Sequence, residues 1–149
     1  MTTSHEYRVT ATWEGGRRGE VAVEDIQPSI QFSAPPEFKG DLGYWTPEHF
    51  LLAAVGSCYV ATFYALAESQ LGFLGLQLSV EGTLGKREGR LRFTNIVLTP
   101  TLNVTRTEDS ELANQLLAKA ELGCLIARSL ACPVQLKALV VPAEEILAR

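Results

Sequence analysis

Three cysteines, Cys58, Cys124 and Cys132, are the residues of this chain best suited to carry chemistry. Cys58 sits in Val55-Gly56-Ser57-Cys58-Tyr59, in the middle of a stretch without charge. A lone cysteine in such surroundings ordinarily packs as a small hydrophobe. Two features set this one apart. Gly56 and Ser57 are small and are expected to leave open space beside the thiol. Cys124 follows Gly123 at the beginning of a short predicted helix, where backbone N–H groups favour thiolate over thiol. Cys132, in Ala131-Cys132-Pro133, reads as a spare buried cysteine. His5 and His49 share no short ligand spacing with the cysteines, so no metal site is expected.

The elements that must position these thiols follow from periodicity. Tyr7, Val9, Ala11 and Trp13 alternate with polar residues, the pattern of a half-buried strand. Gly15-Gly16-Arg17-Arg18-Gly19 is a turn, and Val21, Val23 and Ile26 predict a second strand paired with the first. Ile30–Ser33 is a short third piece, followed by a Pro/Gly loop to Tyr44. Thr46-Pro47-Glu48 starts a helix, with Thr as N-cap, Pro at the first helical position and an acid in the first turn. That helix is expected to run to about Glu68. Strands follow over Leu76–Leu84 and Leu91–Val104, joined at Gly85-Lys86-Arg87-Glu88-Gly89. A helix over 108–122 ends near Gly123, a short helix covers 124–130, and 134–141 is a final strand. The order predicts an α+β fold. No repeat or linker interrupts it, so 1–149 reads as a single domain.

Composition narrows the function classes. A net charge of −4 over 149 residues, with Arg17-Arg18 as the main basic cluster, argues against a nucleic-acid surface. Phe50–Ala67 carries no charge over 18 residues, the lower limit for a membrane span. Gly56, Ser57, Cys58, Thr62 and Tyr64 lower its hydrophobicity, and no basic flank orients it. It therefore reads as a buried central helix with no membrane role. Its apolar faces exceed what one small sheet covers, and a second copy of the chain is the simplest partner. Residues 1–6 lack the charged and apolar regions of a secretory signal, and three cysteines do not make a disulfide framework. The expected address is cytoplasmic.

The motifs also resemble a known family. Gly43-Tyr44-Trp45-Thr46-Pro47-Glu48-His49-Phe50-Leu51-Leu52-Ala53-Ala54-Val55-Gly56-Ser57-Cys58 is similar to the central-helix signature of the OsmC/Ohr superfamily. Ala120-Glu121-Leu122-Gly123-Cys124-Leu125-Ile126-Ala127-Arg128-Ser129-Leu130 resembles its second cysteine segment, and Thr10-Ala11-Thr12-Trp13-Glu14-Gly15-Gly16-Arg17 its first strand and turn. The resemblance implies an intertwined homodimer, with long central helices wrapped by antiparallel sheets, and a thiol peroxidase without metal, flavin or other cofactor. It implies that Cys58 attacks a hydroperoxide and that Cys124 resolves the sulfenic acid as a disulfide. Glu48 matches the family's catalytic acid, and Arg17 best matches its arginine, with Arg18 directly beside it. A dihydrolipoyl-type carrier or another dithiol would return the electrons.

Elementary geometry adds one constraint. Along a straight helix, Glu48 and Cys58 are separated by ~15 Å of rise and point roughly 80° apart. Glu48 is therefore expected to serve Cys58 of the other subunit, together with Arg17, the alternative being a large bend of the helix at Gly56. Tyr44, Trp45, Phe50, Tyr59 and Phe63 give the site apolar flanks, which suit organic hydroperoxides. Two other readings stay open: a non-catalytic dimer binding a small hydrophobic ligand, and a thiol redox sensor that oxidises without turning over.

Overall fold

The computed structural model describes residues 3–144. The chain divides into two compact units, and the boundary between Leu51 and Leu52 falls inside the long helix. A boundary within continuous helix leaves no mark in composition, which is why no linker is visible in the sequence.

The first unit is built on an antiparallel meander of β1 (Thr10–Gly15), β2 (Arg18–Val23) and β3 (Ile26–Ser33). The β1–β2 turn needs its glycines, since Gly15 and Gly16 have φ of 110° and 56°. Register places Trp13, Gly19 and Phe32 in one row, and Ala11, Val21 and Ile30 in the next. A Cβ on Gly19 would lie 2.7 Å from the Phe32 ring, so only glycine lets that ring cross the strand. Strand β1 begins three residues later than Tyr7, and Ile26 opens β3 rather than closing β2. One turn explains both differences. Asp25, at φ 64°, ends β2 after Val23, so Thr10↔Ala22 is the last rung and Tyr7 and Val9 stay exposed. The loop after β3 is held by Ser33, whose Oγ accepts from Asp41 N–H at 2.9 Å and donates to Ala34 O.

Helix α1 spans Pro47–Ala67. Thr46 and His49 close its start reciprocally. Thr46 N–H donates to His49 Nδ1 at 3.1 Å, and His49 N–H donates to Thr46 Oγ1 at 3.2 Å. This is a capping box with histidine in the place usually taken by Glu or Gln.

In the second unit, β4 (Phe73–Arg87) and β5 (Arg90–Val104) form a long antiparallel hairpin. The last strand is two pieces, β6 (Val134–Leu136) and β7 (Leu139–Pro142), and both run parallel to β5. The sheet of this unit is therefore mixed rather than antiparallel throughout, because the chain returns through a helical crossover, as parallel neighbours require. That crossover carries α2 (Ser110–Gly123) and α3 (Leu125–Arg128). The core joins three stripes: Val55, Tyr59, Phe63 and Ala67 of α1; Ile96, Leu98, Leu102 and Val104 of β5; and Ala113, Leu116, Leu117 and Ala120 of α2. Spacings of four along α1 and two along β5 are the helix and strand periods. Only that one line of α1 is fully buried, while Val60 and Tyr64 are 40% and 57% exposed. Within the second unit the helix is thus buried along one line.

Gly56 has a different role from the one its size suggests. A Cβ there would stand 3.0 Å from Val80 Cγ2 and 3.7 Å from Leu78 Cδ2. The residue provides close contact between α1 and β4, not open space beside the thiol.

Candidate functional site

Cys58 is half-buried and lies next to the Tyr59 position of the buried α1 line. Cys124 is fully buried at the joint between α2 and α3. Helix α2 ends on Gly123, and Cys124 turns extended (φ −71°, ψ 104°) before capping α3. Its Sγ points back at α1, 3.7 Å from Val55 O. All three cysteines are free thiols.

The two sulfurs of this pair differ in acidity. Burial alone would push the Cys58 thiol up. The Ile126 N–H, the neighbouring Cys124 thiol, the Thr62 hydroxyl and the Leu125 N–H outweigh it, and the net effect holds Cys58 below the ordinary thiol range. Cys124 moves the other way. Burial pushes it up and Cys58 adds to the rise, against the N–H groups of Ala127 and Ile126. The start of α3 therefore favours the thiolate at both sulfurs; on Cys58 it prevails over burial, whereas on Cys124 burial and the neighbouring Cys58 outweigh it. The two neighbouring thiols are thus moved in opposite directions, Cys58 down and Cys124 up. Cys132 is half-buried against the same core, with no hydrogen-bonding link to either.

Thr62, one turn after Cys58, donates to Cys58 O at 2.7 Å, and its Oγ1 is 4.0 Å from Cys58 Sγ. Sequence reasoning passed over it, although the i, i+4 spacing from Cys58 could have found it. The N–H groups of Leu125 and Ile126 carry no side-chain signal and were also missed.

The two arginines separate clearly. Arg18 is engaged: its Nη1 donates to Tyr44 Oη at 3.2 Å, and its Nε is 3.3 Å from Asp41 Oδ2. Its guanidinium also lies 5.9 Å from the Tyr44 ring centre. Arg17 is exposed in the β1–β2 turn, and among the described residues its side chain is in no ion pair. Glu48 stands in the first turn of α1 with Oε2 buried and without a hydrogen-bond partner among the described residues. A buried carboxylate oxygen of this kind calls for a cationic donor.

The aromatic residues divide. Trp45 stacks on Phe50 at 5.7 Å and 14°, and Phe50 meets Phe32 edge-on at 6.4 Å. These rings form an apolar cluster in the first unit, where Tyr44 is held by Arg18. Tyr59 is different: it is fully buried, and its hydroxyl donates to Leu117 O at 2.9 Å. It is a core residue that ties α1 to α2, rather than a flank of the site, and Phe63 likewise packs in the core, edge-on to Phe73 of β4.

Residues 39–138 match the family of OsmC-like proteins. Among curated proteins, the uncharacterized protein YmaD of Bacillus subtilis is 29% identical over 137 residues, covering 89% of this chain and 91% of YmaD. Among solved structures, an OsmC-like protein of unknown function from Vibrio cholerae superposes with a TM-score of 0.83 at 21% identity, covering 91% of this chain and all of the other. An organic hydroperoxide resistance protein from Elizabethkingia anophelis gives 0.74 at 19% identity, covering 95% and 99%.

Proposed function

Because the chain belongs to the family of OsmC-like proteins, we propose that it is a cysteine-based reductase of organic hydroperoxides. The observation that carries this reading is the placement of two thiols at one stretch of α1, with half-buried Cys58 beside the Thr62 hydroxyl and buried Cys124 aimed back at Val55 O at 3.7 Å. The opposed directions of their acidities agree with it. The Cys58 thiolate attacks the terminal oxygen of the hydroperoxide. The O–O bond breaks, the alkoxide takes a proton and leaves as the alcohol, and Cys58 becomes a sulfenic acid. The Cys124 thiol then attacks that sulfur, water leaves, and a Cys58–Cys124 disulfide forms. An external dithiol, of the dihydrolipoyl or a similar class, reduces the disulfide and is itself oxidised. No step needs a metal or organic cofactor.

Arg17 and Glu48 complete the site from the partner subunit of a homodimer. Two observations support this assignment: among the described residues, Arg17 is exposed and in no ion pair, and the buried Glu48 Oε2 has no hydrogen-bond partner. Paired with Glu48, Arg17 would steady the thiolate and the departing alkoxide. The partly exposed apolar side of α1 supports the dimer. The Trp45–Phe50 stack supports an organic substrate, and three cysteines, too few for a disulfide framework, suit the cytoplasm.

A second reading has its own observation. A hollow of about 370 Å³ on the sheet of the first unit is lined by Val9, Val21, Val23, Ile26, Ile30 and Phe50, which favours a binder of small hydrophobic ligands. One experiment separates the readings. The reduced protein receives one equivalent of cumene hydroperoxide, and its disulfides are mapped by mass spectrometry. A Cys58–Cys124 bond with repeated turnover on added dithiol supports the peroxidase. Thiols left unchanged overturn it and favour the binder, and oxidation without turnover identifies a sensor.

A further inference from the structure

We infer that Thr62 is a hydrogen-bond donor to the Cys58 sulfur, switching its proton from the Cys58 carbonyl to the thiolate when Cys58 ionises. The inference rests on Cys58 as the nucleophile, but its test does not require turnover. Thr62 Oγ1 lies between two acceptors on the same residue, the Cys58 carbonyl oxygen at 2.7 Å and the Cys58 sulfur at 4.0 Å. The carbonyl of a helix interior already has its own i+4 N–H partner, so the hydroxyl is a supplementary donor there. A sulfur that has lost its proton to solvent is a much better acceptor than a thiol, and hydrogen bonds to charged groups are the stronger kind. Rotation of the hydroxyl with a small movement of the side chain then exchanges one acceptor for the other. No bond other than the S–H is broken, and no electrons move.

The rest of the side chain holds the hydroxyl near this position. A Cβ on Gly123 would come 3.4 Å from Thr62 Cγ2, so the threonine methyl lies against the backbone of the residue before Cys124. Thr62 therefore touches both ends of the thiol pair: its hydroxyl serves Cys58, and its methyl packs beside the hinge that carries Cys124. The direction in which Cys58 is moved agrees with a donor there.

The test is the pH dependence of Cys58 alkylation by iodoacetamide, with the modified residue identified by mass spectrometry, in wild type, Thr62→Val and Thr62→Ser. Valine keeps the methyl contact with Gly123 and removes the hydroxyl; serine keeps the hydroxyl and removes the methyl. Thr62→Val should move the Cys58 midpoint up by about one pH unit, leaving about tenfold less thiolate below it. Thr62→Ser should stay near wild type. A midpoint unchanged in Thr62→Val, or raised equally in both variants, overturns the inference, the second result assigning the effect to packing. Circular dichroism confirms that each variant is folded, and Thr62→Ala replaces Thr62→Val if valine prevents folding. Because alkylation needs no peroxide, a failure here stays distinct from a failure of the peroxidase reading.

Discussion

Replacing Gly56 by alanine tests whether close packing of α1 on β4 sets the position of the Cys58 segment. In an isolated helix the change is favourable by about 1 kcal/mol, because glycine is the poorer helix former. Here the new methyl would stand 3.0 Å from Val80 Cγ2, ~0.5 Å inside normal carbon contact. Val80 cannot withdraw as a long flexible side chain could, since its methyl branches from Cβ on a strand that is hydrogen-bonded to β5. Overpacking of this kind costs about 2 kcal/mol. The net expectation for Gly56→Ala is a loss of about 1 kcal/mol. Val80→Ala alone removes two partly buried methyl groups and costs about 1.5 kcal/mol. In the double variant the clash is gone and the helix gain remains, so the loss falls to about 0.5 kcal/mol. The coupling is then about 2 kcal/mol, well above the limit of additivity. Urea titrations of the four proteins, compared at constant slope, supply the cycle. A Gly56→Ala protein more stable than wild type, or a coupling near zero, would refute the reasoning and restore the glycine as open space.

Three further outcomes follow from the site. As pH rises, Cys58 reaches its thiolate before Cys124, since one is held low and the other high. Alkylation mapped by mass spectrometry should therefore label Cys58 at the lower pH, and the opposite order would reverse the roles assigned to the pair. Arg17→Ala should reduce peroxide turnover by about a hundredfold through lost charge stabilisation. Arg18→Ala should instead retain turnover and release Tyr44 and Asp41, with stopped-flow peroxide consumption comparing the two. Tyr59→Phe should cost about 1 kcal/mol of stability by removing a buried hydrogen bond, while peroxide turnover persists. A Tyr59→Phe variant of full stability with lost turnover would return Tyr59 to the substrate.

Much of the fold was legible because periodic burial leaves a direct trace. Apolar runs on either side of a polar turn marked β4 and β5, and Thr46-Pro47-Glu48 placed the start of α1 within a residue. The alternation of Tyr7 to Trp13, by contrast, marked a strand that is exposed rather than half-buried. The parallel return of β6 and β7 was not legible, since strand direction depends on where the crossover delivers the chain. The cysteine pair could be named from position, but the service of α3 to Cys58 could not. Backbone N–H groups carry no side-chain signal, and which thiol they face depends on how α1 and α3 meet. Tyr59 shows the converse limit. An aromatic residue beside a reactive cysteine looks like a flank of the site, yet neighbouring helix positions point about 100° apart, and Tyr59 points into the core.

The helical crossover between β5 and β6 behaves as a hasp fastened at both ends to one strand. Its first residue leaves β5 at Val104, and its last returns to β5 where Ile96 N–H bonds Pro133 O and Val134 takes up the ladder. Its longest element is α2, whose Leu116 and Leu117 are locked in the core. The single turn of α3, directly after Cys124, is less buried: of its four residues Ala127 alone is buried, and Leu125 is 66% exposed. If Cys124 travels to meet an oxidised Cys58, that single turn absorbs the travel, and the redox cycle becomes a repeated flexing of one short helix against an anchored frame.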